Sequence, residues 1–241
     1  MPKFRTSPIA KASIVTAILL SACLLRGSAC AEDLPACLKA EGHATIEQAL
    51  KHSGVSEEEA LTRLVYAEGI STGCGDEAAV YEAIAWGVMN RVRLGEACPP
   101  AQATYGRGIM GVLFKQGQFN PAVSGKSPFS KEFLCPSSIS RWYRAGKAAR
   151  QALSRRGNPF IQTPWEKEHG LSLVVNFYYP ESIQAKAPLA PWENSPALQY
   201  IGNFRIGDTL LSAQKIRFYR LTAPPRACAR EKRITGGGSG F

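Results

Sequence analysis

The side chains with the widest chemical reach in this 241-residue chain are one glutamate, one cysteine and three histidines. Glu68 stands in the stretch Arg63 to Gly69, "RLVYAEG". Counting back from it by helical steps meets Val65, Leu64 and Leu61, so the carboxyl follows the apolar stripe of the helix that "SEEEALTRLVYAE" should form. Gly69 reads as a helix stop, which leaves the acid beside unpaired carbonyls. An apolar face, the negative end of a helix and exclusion of water all favour the uncharged form of a carboxyl. Such an acid stays protonated near neutral pH and suits glycoside cleavage, in which the leaving glycosidic oxygen must receive a proton. The competing reading is a partly exposed glutamate that merely ends a helix.

Cys74 precedes a helix that starts near Asp76. The positive end of that helix favours a thiolate, and His169 downstream offers a base, the order of a cysteine peptidase. A structural disulfide is the better reading of Cys74 in an exported chain. His43, His52 and His169 are the only histidines. No HExxH pair and no GxSxG elbow occur, so neither a zinc site nor a serine nucleophile of that type is expected, and no cofactor is implied.

Elements that would position these groups follow from periodicity and punctuation. Thr45 to His52 and Ser56 to Glu68 are rich in helix formers, and Ser56 followed by Glu59 has capping-box spacing. Asp76 to Leu94 carries Val80, Ile84, Val88 and Val92 near helical spacing and reads as a buried helix. Glycines and prolines dominate from Gly95 to Pro136, a long loop region with a short helix at Gly108 to Lys115 and the segment "GQFNPA". "SSISRWYRAGKAARQALSRRGNP" reads as a surface helix with an N-cap serine, and its arginines and lysine form the densest cationic patch, best explained as a solvated face. "LSLVVNFYYP", "ALQYIGNF" and "KIRFYRL" read as strands, with a proline-rich crossing between the first two. Helices first and strands last give an α+β fold, a helical body with a small antiparallel sheet.

The first residues read as targeting rather than fold. Lys3, Arg5 and Lys11 precede the apolar run Ala12 to Leu25, and small residues end at Ala31, the pattern of an export signal over residues 1–31. "LSAC" at Leu20 to Cys23 gives the alternative of lipidation at Cys23 and a membrane tether. Cleavage after Ala31 removes four cations and no acid, lowering the formal charge from +10 to a moderately basic value. That balance suits an anionic envelope polymer, and with no nucleic-acid-binding motif it gives no ground for a nucleic-acid partner. The expected organisation is an N-terminal extension over 32–55, one domain over 56–222 and a flexible tail over 223–241. Cys37, Cys74, Cys98, Cys135 and Cys228 remain after cleavage and read mostly as disulfides, with a bridge from Cys98 to Cys135 among the pairings open.

"LTRLVYAEG", "AAVYEAIAWGVMNRV", "GVLFKQGQFNPA", "VNFYYP" and "YIGNFRIGDTLL...RFY" occur in an order that resembles the SleB-type cell wall hydrolases, the family of the spore cortex lytic enzymes. The likeness runs from about Leu61 to Tyr219. It implies a lysozyme-like domain that cuts the glycan strands of peptidoglycan, generally by lytic transglycosylation, with Glu68 as the acid. The family follows its glutamate with a short segment carrying a second acid, whereas this chain has a longer connection, Gly69 to Gly75, with Asp76 or Glu77 as spatial replacements. A periplasmic or secreted enzyme is expected, with peptidoglycan as its partner. Gln118, Phe119 and Asn120 of "GQFNP" and Tyr178 and Tyr179 are candidate sugar contacts, and strand alternation assigns the two tyrosines to opposite faces. Asn90 is a candidate to orient Glu68, or else a buried amide satisfying local backbone. Trp86 and Trp192 read as packing residues. Hydrolysis at the same site, and a Cys74/His169 peptidase cutting stem peptides, are the alternatives.

Overall fold

Nine helices precede five short strands among the described residues, so the chain has the α+β order its sequence predicts. The computed structural model describes residues 33–225 and Cys228. The export segment, its alternative at Cys23 and most of the tail lie outside the described residues.

Helix α1 (Ile46–His52) starts at Thr45, whose hydroxyl accepts from the Gln48 amide, and α2 (Glu57–Ser71) starts at Ser56, whose hydroxyl accepts from the Glu59 amide at 3.1 Å. Three glutamates in the first turn of α2 complement its positive end. The reciprocal half of the expected capping box is not made, because the Glu59 carboxylate is drawn to Arg63 Nε at 2.9 Å. The α2 helix and α3 (Ala78–Ala97) are buried nearly all round and form the centre of the molecule. The short helices α4 (Ala101–Tyr105), α5 (Gly108–Leu113), α6 (Asn120–Val123) and α7 (Ser130–Leu134) break up the expected loop region. Then α8 (Ile139–Leu153) lies across both α2 and α3, presenting Ala145, Gly146, Ala148, Ala149 and Ala152 to them, small residues that let the backbones approach closely. Helix α9 (Pro164–His169) carries a complete capping box between Thr163 and Glu166.

Strands β1 (Val174–Tyr178), β5 (Arg217–Leu221) and β2 (Leu198–Tyr200) form an antiparallel sheet in the order β1-β5-β2. A separate hairpin pairs β3 (Phe204–Ile206) with β4 (Thr209–Leu211) around Gly207, whose φ of 55° a side chain would resist. Strand β1 seats on α3 so tightly that a Cβ on Gly87 would lie 2.5 Å from the Phe177 ring.

Three local expectations are corrected. Helix α2 does not stop at Gly69 but continues to Ser71, and the glycine is required there because a Cβ would collide with the Tyr81 ring. The carbonyls beside Glu68 are not left open, since Ser71 Oγ donates to Glu68 O at 2.8 Å and Thr72 Oγ1 to Gly69 O at 2.7 Å. Residues 34–55 are not an appendage: Ile46 and Leu50 belong to the main core, and the buried Arg63 donates to Ala36 O as well as to Phe133 O and Leu134 O.

Disulfides join Cys37 to Cys135 and Cys98 to Cys228, so Cys98 and Cys135 each pair elsewhere than with one another. The first closes a loop of 98 residues, which by chain entropy stabilises the fold by about 4–5 kcal/mol. The second ties part of the expected flexible tail to the end of α3. Cys74 is a free buried thiol, which overturns its reading as a disulfide partner.

Candidate active site

The last turn of α2 delivers Glu68 and Ser71 to the floor of a cavity of about 670 Å³. Helix α3 contributes Arg91, the loop before α6 contributes Gln118 and Phe119, and β1 with its continuation contributes Tyr178 and Tyr179. The segment between β1 and β2 borders the cavity with Ser182, Gln184 and Trp192. Glu68 is 6% exposed and is the only carboxylate among the described residues that line this space.

Burial pushes the Glu68 carboxyl up to about 7, and the favourable influence of Tyr179, Arg91 and Ser71 only partly offsets it. Desolvation is therefore the leading cause, as the apolar stripe in the sequence implies. Burial likewise lowers Arg91 to about 10, against the pull of Tyr105, Tyr179 and Glu68. Its Nε donates to Val175 O and its Nη1 to Gln118 Oε1, both at 2.5 Å, while its guanidinium lies 4.7 Å from the Phe119 ring centroid and 5.1 Å from that of Phe177. The arginine is thus fixed by carbonyls and ring faces while keeping its charge at neutral pH. Tyr179 is raised well above its ordinary value of 10.0 by burial and by Glu68. It remains a neutral phenol.

The sequence candidates divide by position. Gln118, Phe119, Asn120, Tyr178 and Tyr179 all border the cavity with Glu68. Gln118 is held by Arg91, Phe119 is a buried wall, and Asn120 reaches Gln184 Oε1 at 3.2 Å. Tyr179 lies beside Phe177 and packs on the core while Tyr178 lies against Trp192, as strand alternation expects, and both residues border the cavity. Tyr178 donates to Ala187 O at 2.5 Å. Trp192 packs edge-on against Tyr178 and Tyr219, as a packing residue would, yet it borders the cavity too. Trp86 is fully buried.

Asn90 is not part of this site. It donates to Val174 O at 2.8 Å and accepts from Asn158 at 2.8 Å, tying α3 to the start of β1. Asp76 does not replace the missing second acid: it is 81% exposed at its side chain and faces Arg141 and Arg144. Neither Asp76 nor Glu77 lines the cavity. Burial raises the Cys74 thiol, with Glu77 next, the opposite of the thiolate a peptidase requires. His169 stacks on Trp165 at 4.2 Å and contacts its carbonyl, and it is not among the groups acting on Cys74. The cationic α8 face is partly neutralised by Asp76, Glu58 and, beyond the helix, Glu96.

Residue patterns missed three features. Arg91 sits inside the "MNRV" stretch, where its spacing one residue from Asn90 gives no sign that it faces the cavity. The segment carrying Gln184 and Trp192 has no regular structure and no periodicity to read. Glu166 did have a signal, the T-x-x-E spacing before a helix.

Comparison with protein-family models, curated proteins and solved structures finds no match to the chain. Among the described residues, no group of three His, Cys, Asp or Glu side chains is arranged to hold a metal ion, and no helix is long and apolar enough to cross a membrane.

Proposed function

We propose that this protein is an exported enzyme that cuts the glycan strands of peptidoglycan by lytic transglycosylation, with Glu68 as its general acid and then its general base. One observation carries the reading: a single carboxyl, raised to about 7 by burial, lies at the floor of a cavity of about 670 Å³ with no second carboxylate lining it among the described residues. The ordered resemblance to SleB-type cell wall hydrolases, with the lysozyme-like body it implies, supports the same assignment.

Glycosidases that retain or invert configuration use two carboxylates, one to protonate the leaving oxygen and one to attack or to activate water. Transglycosylation relaxes that requirement. The C6 hydroxyl of N-acetylmuramic acid attacks its own anomeric carbon, the bond to the leaving oxygen breaks, and a 1,6-anhydro ring forms. Glu68 gives its proton to the leaving N-acetylglucosamine oxygen and, once ionised, takes the proton of the C6 hydroxyl. The attack is intramolecular, so proximity supplies part of the rate. Asn120, Gln118 and the Tyr178 ring are the groups proposed to meet acetamido and hydroxyl groups along the cavity.

Digestion of purified sacculi followed by mass analysis of the soluble fragments tests the proposal. Fragments ending in 1,6-anhydromuramic acid are expected from the wild type and not from Glu68→Gln. Reducing ends would convert the reading to hydrolysis, and undiminished cleavage by Glu68→Gln would remove the assigned acid.

A further inference from the structure

Tyr179 presents an anomaly that the proposed sugar contacts do not absorb. Its hydroxyl is fully buried and makes no well-aligned hydrogen bond among the described residues, although the Glu68 carboxyl lies close enough to act on it as a hydrogen-bonding neighbour. A buried polar group left without a partner destabilises a fold, and native chains retain few of them. A phenylalanine would make the same ring contacts with Phe177, 5.8 Å away between centroids, without that cost. The hydroxyl therefore has a use other than packing. It cannot readily be a sugar ligand, because the oxygen is sealed from solvent although the ring borders the cavity. Its interacting neighbours are Glu68 and Arg91. Arg91 offers only donors and already spends two of them on Val175 O and Gln118. The acceptor left for a phenolic proton is the carboxyl group of Glu68.

We propose that Tyr179 is a positioning residue of the cleavage reaction, whose hydroxyl donates to the Glu68 carboxylate once that acid has given up its proton. This inference rests on the reading of Glu68 as the acid. While Glu68 is protonated, the phenol has only a weak neutral acceptor nearby. When the glycosidic oxygen takes the Glu68 proton, a charge appears in a site with little access to water, and the phenol turns to it as a charge-assisted donor. Tyr179 keeps its own proton throughout, since burial and the adjacent carboxylate hold it well above 10.0. The same bond fixes the carboxylate for the return step, in which it accepts the proton of the C6 hydroxyl. Removing the donor makes ionisation of Glu68 harder and leaves sugar binding alone.

The test is Tyr179→Phe in the full mature chain. The Glu68 carboxyl is followed by carbon-13 NMR across pH, with Glu68→Gln identifying its resonance, and sacculus cleavage is measured in parallel. The Glu68 midpoint is expected to rise from about 7 by about one pH unit or more, the worth of one lost charge-assisted hydrogen bond. With it kcat should fall about 10-fold or more at unchanged KM, and Tm measured well below the Glu68 midpoint, where the acid keeps its proton, should hold or rise. An unchanged midpoint overturns the proposal. So does a rise in KM with the midpoint unmoved, which would make the hydroxyl a sugar ligand, and so does a fall in Tm well below the Glu68 midpoint, which would give it a structural partner. A wild type that cuts no sacculi while Tyr179→Phe still moves the midpoint would sink the glycan-cleavage reading and leave the pairing standing.

Discussion

Among the described residues two glutamates have almost no solvent contact, and their surroundings drive them in opposite directions. Glu68 is 6% exposed and Glu166 is 0% exposed. Burial pushes both carboxyls up. In Glu166 that push is outweighed by the backbone amides of Thr163, Leu173 and Gln162, at 2.9, 2.8 and 3.0 Å, and by Arg220, so the group is held below its ordinary value. In Glu68 no backbone amide of the described residues donates to the carboxyl, and it rises to about 7. The difference separates a carboxylate held charged, which caps α9 and joins it to β1 and β5, from one whose surroundings favour its uncharged form up to about pH 7. Burial alone identifies neither role. The number and kind of donors does.

The comparison breaks most sharply at the chemistry. Glu68→Gln should keep the fold, since the amide copies a protonated carboxyl, and should lower sacculus cleavage by about 10²–10⁴-fold, the usual worth of a general acid. The counterpart, Glu166→Ala, should invert the pattern. It strands three backbone donors and the Arg220 guanidinium, so urea unfolding should show a loss of about 3–5 kcal/mol while cleavage per folded molecule holds.

The pH dependence of stability should separate the two in sign. The folded Glu68 binds its proton more tightly than the unfolded chain, so its contribution is greatest below its ordinary value of 4.5 and declines until pH passes about 7. That decline amounts to about 3 kcal/mol, and Glu68→Gln should abolish it in unfolding curves taken across the range. Glu166, lowered in the fold, should stabilise fully above its ordinary 4.5 and lose that contribution as pH falls through its depressed value. The smallest effect belongs to Arg220→Met. Arg220 Nε lies 3.3 Å from the buried Glu166, and its loss should cost about 2 kcal/mol in the same assay, leaving the amides to hold the carboxylate.

Other elements show the same contrast between local and distant causes. The starts of α1 and α2 were legible because Thr45 and Ser56 cap them within three residues. The end of α2 was misread at Gly69 because the reason for that glycine is the Tyr81 ring, packed there from α3. The disulfides escaped for a related reason: spacing bounds which cysteines can pair, but Cys37 meets Cys135 and Cys98 meets Cys228 only after the helices have packed. Asn90 and Arg91 are adjacent in sequence and both donate to the β1 backbone, yet a helical step of about 100° leaves Asn90 outside the cavity, bonded to Asn158, and brings Arg91 to its lining.

By itself the sequence determined the α+β order, the caps that start the first two helices, and an acid placed where an apolar stripe must desolvate it. All of these are set by side-chain type within a few residues along the chain. Only the tertiary structure decided that this acid shares a cavity with Arg91, Gln118 and Tyr179, and that Glu166 would be buried as deeply yet kept charged. Those outcomes depend on groups 23 to 111 positions from Glu68, and on amides seven residues or fewer from Glu166 whose direction is fixed only by the packing of α9 against β1. A pKa is set by what surrounds a group in space, and proximity in space is what a folded chain adds to its sequence.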